Sequence, residues 1–211
     1  MKYLFIHQNF PGQFRHLAPA LAAQPGNQVV ALMVQPKGEP QTWRGVRVLP
    51  YPLQGANTPG LHPWLVDIET KTLRATACWQ AARSLRNQGF VPDVIMAHPG
   101  WGEPLFMKQV WPRARLGLYA EFFYQLDGAD VGFDPEFEPP DPQADACRLQ
   151  MKNLNNLAHL DLADGALSPT HWQASTFPEA FRSRITVVVS SRRLPSASVC
   201  TTLPVETPAV G

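Results

Sequence analysis

The sequence predicts an α/β fold in which a parallel, doubly wound sheet of the Rossmann-like type is covered by helices on both faces. Short runs that are apolar throughout recur along the 211 residues, which is typical of strands buried on both faces. Segments with apolar residues at helical spacing separate these runs, and such alternation is typical of parallel βαβ units. Polar segments rich in glycine follow several strands, where ligands bind in sheets of this kind.

The first half of the chain predicts three strands, a short helical segment and one long helix. Lys2–Ile6 is a short apolar run ended by polar residues, which predicts a buried strand near the centre of the sheet. Apolar residues at helical spacing follow a Pro-Gly break, and Pro19 within them predicts a kink or an irregular turn. Two further apolar strands are predicted at Gln28–Val34 and 46–49. A long helix at 65–87 follows a loop rich in Gly and Pro.

The second half continues the alternation up to the last predicted strand. A strand at Val94–Ala97 is followed by a helical segment at 105–110 and a strand at 116–120. The segment 127–145 is acidic and rich in Pro and Gly, which predicts an exposed excursion. Leucines at helical spacing then predict a further helix. This helix is predicted at 147–163. It is followed by a short strand at 165–167, a short helix at 170–176 and the last strand at 185–189.

Composition excludes several classes of protein. The formal net charge is +1, so no basic field indicates nucleic acid as a partner. The three cysteines, Cys78, Cys147 and Cys200, are far apart and form no disulfide framework, which favours a reducing compartment. The first residues are too short an apolar run for a signal peptide, and no stretch is long enough to span a bilayer. We therefore expect a cytoplasmic protein.

Two loops after predicted strands contain candidate binding residues. Gly12 lies where a strand turns towards a helix, and a glycine there lets the backbone approach a phosphate or a sugar. A tight turn that requires glycine is the alternative. After the strand Val94–Ala97, His98 can donate to a sugar hydroxyl or take its proton, and Trp101 can stack on a sugar face. Glu103 starts the next helical segment; a structural role for these residues is the competing interpretation.

Carboxylates further along the chain are the remaining candidates. Glu121 directly follows a strand, where it can orient sugar hydroxyls or simply lie at a solvated edge. Asp127, Asp130 and Asp134 have no EF-hand spacing, so they predict an exposed acidic loop rather than a metal site. No HExxH, P-loop or GxSxG motif occurs, which removes the usual basis for zincin, NTPase or α/β-hydrolase hypotheses.

Four segments together resemble the N-terminal region of bacterial family-4 glycosyltransferases. They are MKYLFIHQNFPGQFRHLAPALA, PDVIMAHPGWGEPLFMK, GLYAEFFYQLDGADVGFDPEF and ALSPTHWQASTFPEAFRSRITVV. The resemblance runs from Met1 to about Val188 and is weaker between Gln35 and Arg86. It implies one half of a GT-B architecture, in which two Rossmann-like domains face a cleft. The N-terminal domain receives the acceptor, and the C-terminal domain holds a nucleotide-sugar donor.

The resemblance also implies a reaction and its partners. Transfer retains the anomeric configuration, usually without a metal, so no cofactor is expected beyond the nucleotide sugar as co-substrate. The acceptor is a glycan or a lipid-linked molecule of the kind used in polysaccharide biosynthesis, and a peripheral membrane contact is compatible with it.

Carried over residue by residue, the resemblance assigns roles to most of the candidates. It implies that Gly12 lies close to the donor phosphate and that His98 occupies a position where many members have an active-site His or Asp. Ser168 corresponds to the serine that precedes the interdomain linker. Glu103 and Glu121 correspond only by their position in loops. We therefore expect His98 and Glu121 to be catalytic. The expected substrate-binding residues are Gly12, Trp101, Glu103 and Ser168. One open face is expected to carry both catalytic residues and all of these except Trp101.

The chain departs from the family after its last predicted strand. We expect the donor domain that the resemblance implies to be missing, and no two glutamates have the seven intervening residues of the family's glutamate pair. We therefore expect a domain at residues 1–189 and a disordered, out-of-frame tail at 190–211, with no transfer by the chain alone. Residues 191–195 can be encoded by TCA CGA CGG CTT CC. When these bases are read one position later, they encode His-Asp-Gly-Phe, which is the linker type that the resemblance implies.

Three functions are compatible with this sequence. The first is the acceptor-side part of a retaining glycosyltransferase that lacks its donor domain. The second is a non-enzymatic binding module, or a subunit that pairs with a separate donor-domain chain. The third is an unrelated α/β enzyme that uses His98 and Glu121 as an acid/base pair.

Overall fold

The computed structural model describes residues 1–35, 38–126, 128, 136 and 141–188. Within this part of the chain, strands form one sheet in the order β3-β4-β2-β1-β5-β6-β7-β8. All neighbouring strands are parallel except β3 and β4. The predicted doubly wound parallel sheet is thereby confirmed. The strands are β1 Lys2–Ile6, β2 Gln28–Val34, β3 Gln41–Trp43, β4 Val46–Tyr51, β5 Val94–Ala97, β6 Arg115–Tyr119, β7 Gly165–Ser168 and β8 Ile185–Val187.

Strand β1 lies inside the sheet because its side chains are apolar on both faces. Leu4 and Ile6 belong to a core cluster on one face of the sheet, and Phe5 belongs to a second cluster on the other. All three are fully buried. Residues i and i+2 of a strand share a face, so this short run supplies both layers of helices with a core.

The helices that cover the sheet differ greatly in length. They are α1 Leu17–Ala22, α2 Pro63–Asn87, α3 Met107–Val110, α4 Pro142–Leu162, α5 His171–Thr176 and α6 Glu179–Arg182. Short 3₁₀ turns at Gly12–Phe14, Pro99–Trp101 and Glu103–Phe106 accompany them. Pro19 lies in the first turn of α1, where a missing backbone N–H costs no hydrogen bond. The expected kink is therefore a helix start that follows a separate 3₁₀ turn.

Two elements differ from the sequence-based expectation. Strand β3 was not predicted, because three residues are too few to show an alternating pattern. Helix α4 begins at Pro142, five positions before the expected 147, because the Asp141 side chain accepts hydrogen bonds from the N–H groups of Gln143 and Ala144. Proline at the first helical position adds to this start signal.

Part of the acidic segment and the chain's end are not covered by this description. Asp127, Asp130 and Asp134, residue 189 and the predicted tail at 190–211 all lie outside the described residues. Among the helices that are described, none combines the length and the apolar character needed to cross a bilayer.

Candidate functional site

The residues that follow β1, β5 and β6 lie side by side because these strands are parallel and in register. Ile6 is paired with Ala97, and Ala97 is paired with Leu118 of β6. His7 and His98 each follow such a paired end, and their rings are 5.8 Å apart. The sheet therefore brings two histidines from distant parts of the sequence to one edge.

His98 and Glu121 are in direct contact at this edge. The Nε2 atom of His98 lies 3.0 Å from the Oε2 atom of Glu121. The His98 Nδ1 atom accepts a hydrogen bond from the Gly100 N–H at 3.1 Å, so a neutral ring carries its proton on Nε2 and donates it to the carboxylate. Both ring nitrogens are thus engaged, and His98 can take a substrate proton only by giving up the bond from Gly100.

The carboxylate of Glu121 keeps its charge in this arrangement. The hydrogen bond from His98 lowers the pKa of Glu121 despite partial burial. Its side chain is 33% exposed, whereas the His98 side chain is 7% exposed. Glu121 is therefore the member of the pair that a ligand reaches, and His98 sets its orientation.

Aromatic rings surround the pair. The centroid of the Trp101 ring lies 4.5 Å from that of His98, and the Tyr119 ring stacks on His98 at 5.9 Å. Together with Glu121 and parts of the neighbouring loops, these residues line a pocket of about 180 Å³. A carboxylate beside aromatic faces is suited to a sugar ring, which combines an apolar face with hydroxyl donors at its edge.

Gly12 packs against His7, whose ring contacts Trp101 of this pocket. The backbone of Gly12 has a φ of 46°, and a Cβ at this position would clash with the His7 ring. His7 is 4% exposed and also contacts Trp101 edge-on at 5.0 Å. Burial and the neighbouring His98 lower the pKa of His7, so its ring stays uncharged. The glycine is therefore required by backbone conformation and by packing together.

Glu103 and Ser168 lie away from the pocket, contrary to the expected open face. Glu103 is fully buried, and its Oε1 atom lies 3.5 Å from Nη1 of Arg74. Burial raises the pKa of Glu103. Ser168 is 1% exposed at the end of β7, and its hydroxyl lies 3.4 Å from the Thr170 carbonyl oxygen. Both residues are packed into the protein behind the loops.

Several residues at the site were not singled out from the sequence. Lys71 of α2 lines the pocket and pairs with Asp67 at 2.6 Å. Asn156 of α4 also lines it and is 7% exposed. The segment 153–156 contains three asparagines within an apolar helical pattern, and buried amides at such positions need partners. The presence of asparagines within an apolar pattern was the signal by which Asn156 could have been found from the sequence.

Comparisons of the whole fold identify its architecture. The Phytolacca americana protein UGT2, solved with UDP-2-fluoro-glucose and pterostilbene, superposes with a TM-score of 0.52 at 12% identity, over 93% of this chain and 55% of that one. A UDP-glucosyltransferase from Polygonum tinctorium capable of glucosylating indoxyl gives 0.51 at 11% identity, over 98% and 55%. The fold is that of one half of a GT-B glycosyltransferase, and this chain spans 55% of the length of each of these two proteins.

A family comparison then places the chain more narrowly. The glycosyl transferase family 4 group matches residues 25–190. The chain belongs to this family, which confirms the family resemblance, since three of the four segments lie within the matched residues, and excludes an unrelated α/β enzyme. A search of curated proteins finds no match.

Proposed function

We propose that this chain is the N-terminal, acceptor-binding part of a retaining glycosyltransferase that moves a sugar from a nucleotide-sugar donor to a glycan or lipid-linked acceptor. The observation that carries the proposal is the hydrogen bond between His98 and Glu121 in a pocket lined by aromatic rings. It lies at the carboxyl ends of parallel strands, where ligands of open α/β sheets bind.

The chemistry of the pair favours holding a hydroxyl over acid/base catalysis. An efficient general base has a pKa near the working pH, whereas the pKa of Glu121 is lowered. A charged carboxylate is a strong hydrogen-bond acceptor, and an acceptor sugar offers hydroxyl donors. In this proposal Glu121 accepts a hydrogen bond from a hydroxyl of the acceptor sugar, and His98 holds Glu121 in place. Trp101 covers one face of the sugar.

A second pocket supports an acceptor that has an apolar part. It measures about 300 Å³ and lies between α4 and the loop after β6. Leu126, Leu154 and Leu157 line it and are exposed, and Tyr124 lines both pockets. In this proposal the sugar lies against Glu121, and an attached hydrocarbon lies beyond Tyr124.

Transfer needs a donor-binding domain opposite this face, so we propose that the 211-residue chain alone does not transfer sugar. We further propose that no metal or cofactor takes part and that a donor domain of the same family completes the cleft. The experiment is to incubate the purified chain with nucleotide sugars and candidate acceptors, alone and with an added donor domain from a family member. Transfer only in the second case, with retention of configuration, is the expected result.

The controls separate the site from the fold. Glu121→Gln keeps the shape of the side chain and removes its charge, and we expect it to weaken acceptor binding. Glu179→Gln, at an exposed carboxylate on α6 outside the pocket lining, is the matched control. Sugar transfer by the chain alone, or equal acceptor binding by both variants, contradicts the proposal. Acceptor binding without transfer under either condition favours the alternative, a non-enzymatic binding module.

A further inference from the structure

Asparagines on α4 hold the two loops that carry the candidate site. Asn153 exchanges two hydrogen bonds with the backbone of Tyr124: its Oδ1 accepts from the N–H at 3.0 Å, and its Nδ2 donates to the carbonyl oxygen at 2.7 Å. Asn155 Nδ2 donates to the carbonyl oxygen of Pro99 at 3.0 Å. Helix α4 thus links the loop after β6 to the loop after β5.

The orientation of a third amide, that of Asn156, is fixed by its neighbours. Its Nδ2 donates to the Phe122 carbonyl oxygen at 3.2 Å and to Oδ1 of Asn153 at 3.2 Å. Because both partners are acceptors, a flipped amide would place oxygen against oxygen. Asn153 cannot flip to relieve this, since its own Oδ1 accepts from the N–H of Tyr124.

Among the hydrogen bonds formed by residues 1–35, 38–126 and 141–188, those of the Asn156 side chain run from its Nδ2, and its Oδ1 accepts none. Asn156 lines the same pocket as His98 and Glu121 and is 7% exposed. When a ligand displaces water from an acceptor that lines a pocket and does not donate a hydrogen bond to it, binding costs free energy. The pocket is therefore matched to a ligand that brings a donor.

We propose that Asn156 is a specificity-determining residue whose Oδ1 accepts a hydrogen bond from a ring hydroxyl of the acceptor sugar. This inference rests on the proposed function and adds a second fixed acceptor to Glu121. Two acceptors, one on α4 and one in the loop after β6, select a ring that carries two hydroxyl donors. The pocket of about 180 Å³ is below the ~300–1,000 Å³ of typical ligand sites, so it takes a single ring.

The test pairs protein variants with deoxy sugars. Methyl glucopyranoside, mannopyranoside and galactopyranoside, each with its monodeoxy analogues, are titrated against the 211-residue chain and followed by amide chemical shifts. Asn156→Ala is expected to weaken binding of the best glycoside by about 3- to 10-fold, the effect of one neutral hydrogen bond. For the analogue that lacks the recognised hydroxyl, wild type and variant are expected to bind equally.

Asn155→Ala is the control on the same helix, because it releases the Pro99 carbonyl and does not line the pocket. A purely structural change affects every glycoside and its deoxy analogues by the same factor. If Asn156→Ala does not fold, Asn156→Ser removes the same oxygen while keeping a polar side chain, and the same pattern is expected.

Two outcomes overturn the inference in different ways. If the Asn156 variants weaken binding of all glycosides and deoxy analogues by the same factor, Asn156 has only a structural role. The proposed acceptor site is not contradicted by that result. If no glycoside shifts the amides of Gly100 and Glu121 in the wild-type chain, the proposed function fails together with the inference.

Discussion

Replacing Gly102 with alanine tests how tightly the loop after β5 is held against α2. Gly102 has a φ of 92°, and a Cβ there would lie 2.6 Å from the carbonyl oxygen of Lys71 and 2.7 Å from its Cβ. Left-handed backbone costs a non-glycine residue about 1–2 kcal/mol. Overpacking costs about 1–3 kcal/mol more. We therefore expect Gly102→Ala to lower the free energy of unfolding by about 2–5 kcal/mol.

Gly89→Ala is the matched control, because Gly89 has a similar φ of 87° but no atom within 4 Å of an added Cβ. Only the backbone cost of about 1–2 kcal/mol then applies. Urea unfolding of the three proteins, followed by circular dichroism, gives the two losses by linear extrapolation. Equal losses at both positions would refute the reasoning, since the contact with Lys71 would then contribute nothing.

Three further predictions concern ionisable side chains. Burial lowers the pKa of His159 from 6.5 to about 4. The free energy of unfolding of the wild type should therefore fall by about 3 kcal/mol as pH falls through this range. Urea titrations at pH 7 and pH 4 should show that His159→Gln lacks most of this loss. Burial raises the pKa of Glu103, so stability should fall as pH rises above the unfolded value of 4.5, and Glu103→Gln should flatten that slope; an unchanged slope contradicts the assignment. His98→Ala, placed in a full-length family member, should slow transfer by ~10²-fold because Glu121 loses its orientation, and unchanged turnover with a lower melting temperature would indicate a structural role.

The fold could be predicted from the sequence because its strands are buried on both faces. Runs such as Lys2–Ile6 carry no polar residue beyond their first position except Tyr3, and their spacing leaves room for helices between them. Strand β3 could not be predicted in this way, since an exposed edge strand of three residues buries too little to impose a pattern.

The site was predictable in position and less so in detail. Polar residues at strand ends indicated that His98 and Glu121 would lie close together, and the structure places them in contact. The sequence could not show that Glu103 is buried, because residues that directly follow a loop look alike whether they face solvent or protein. Its ion-pair partner Arg74 lies on another element, α2.

Asn156 shows what a single sequence lacks at such a site. Its contacts join α4 to the loop after β6, and the residues involved are far apart in the sequence. Local spacing describes which residues share a helix face. It does not describe which backbone groups of another segment that face will meet.

The ends of the sheet have a consequence for how the chain behaves in concentrated solution. Both edge strands, β3 Gln41–Trp43 and β8 Ile185–Val187, are three residues long, and β3 runs against the direction of the rest. An unpaired strand edge is a template on which another chain can add a strand. Two such short edges give an incoming chain few consecutive hydrogen bonds, so edge-to-edge aggregation through the described sheet is disfavoured.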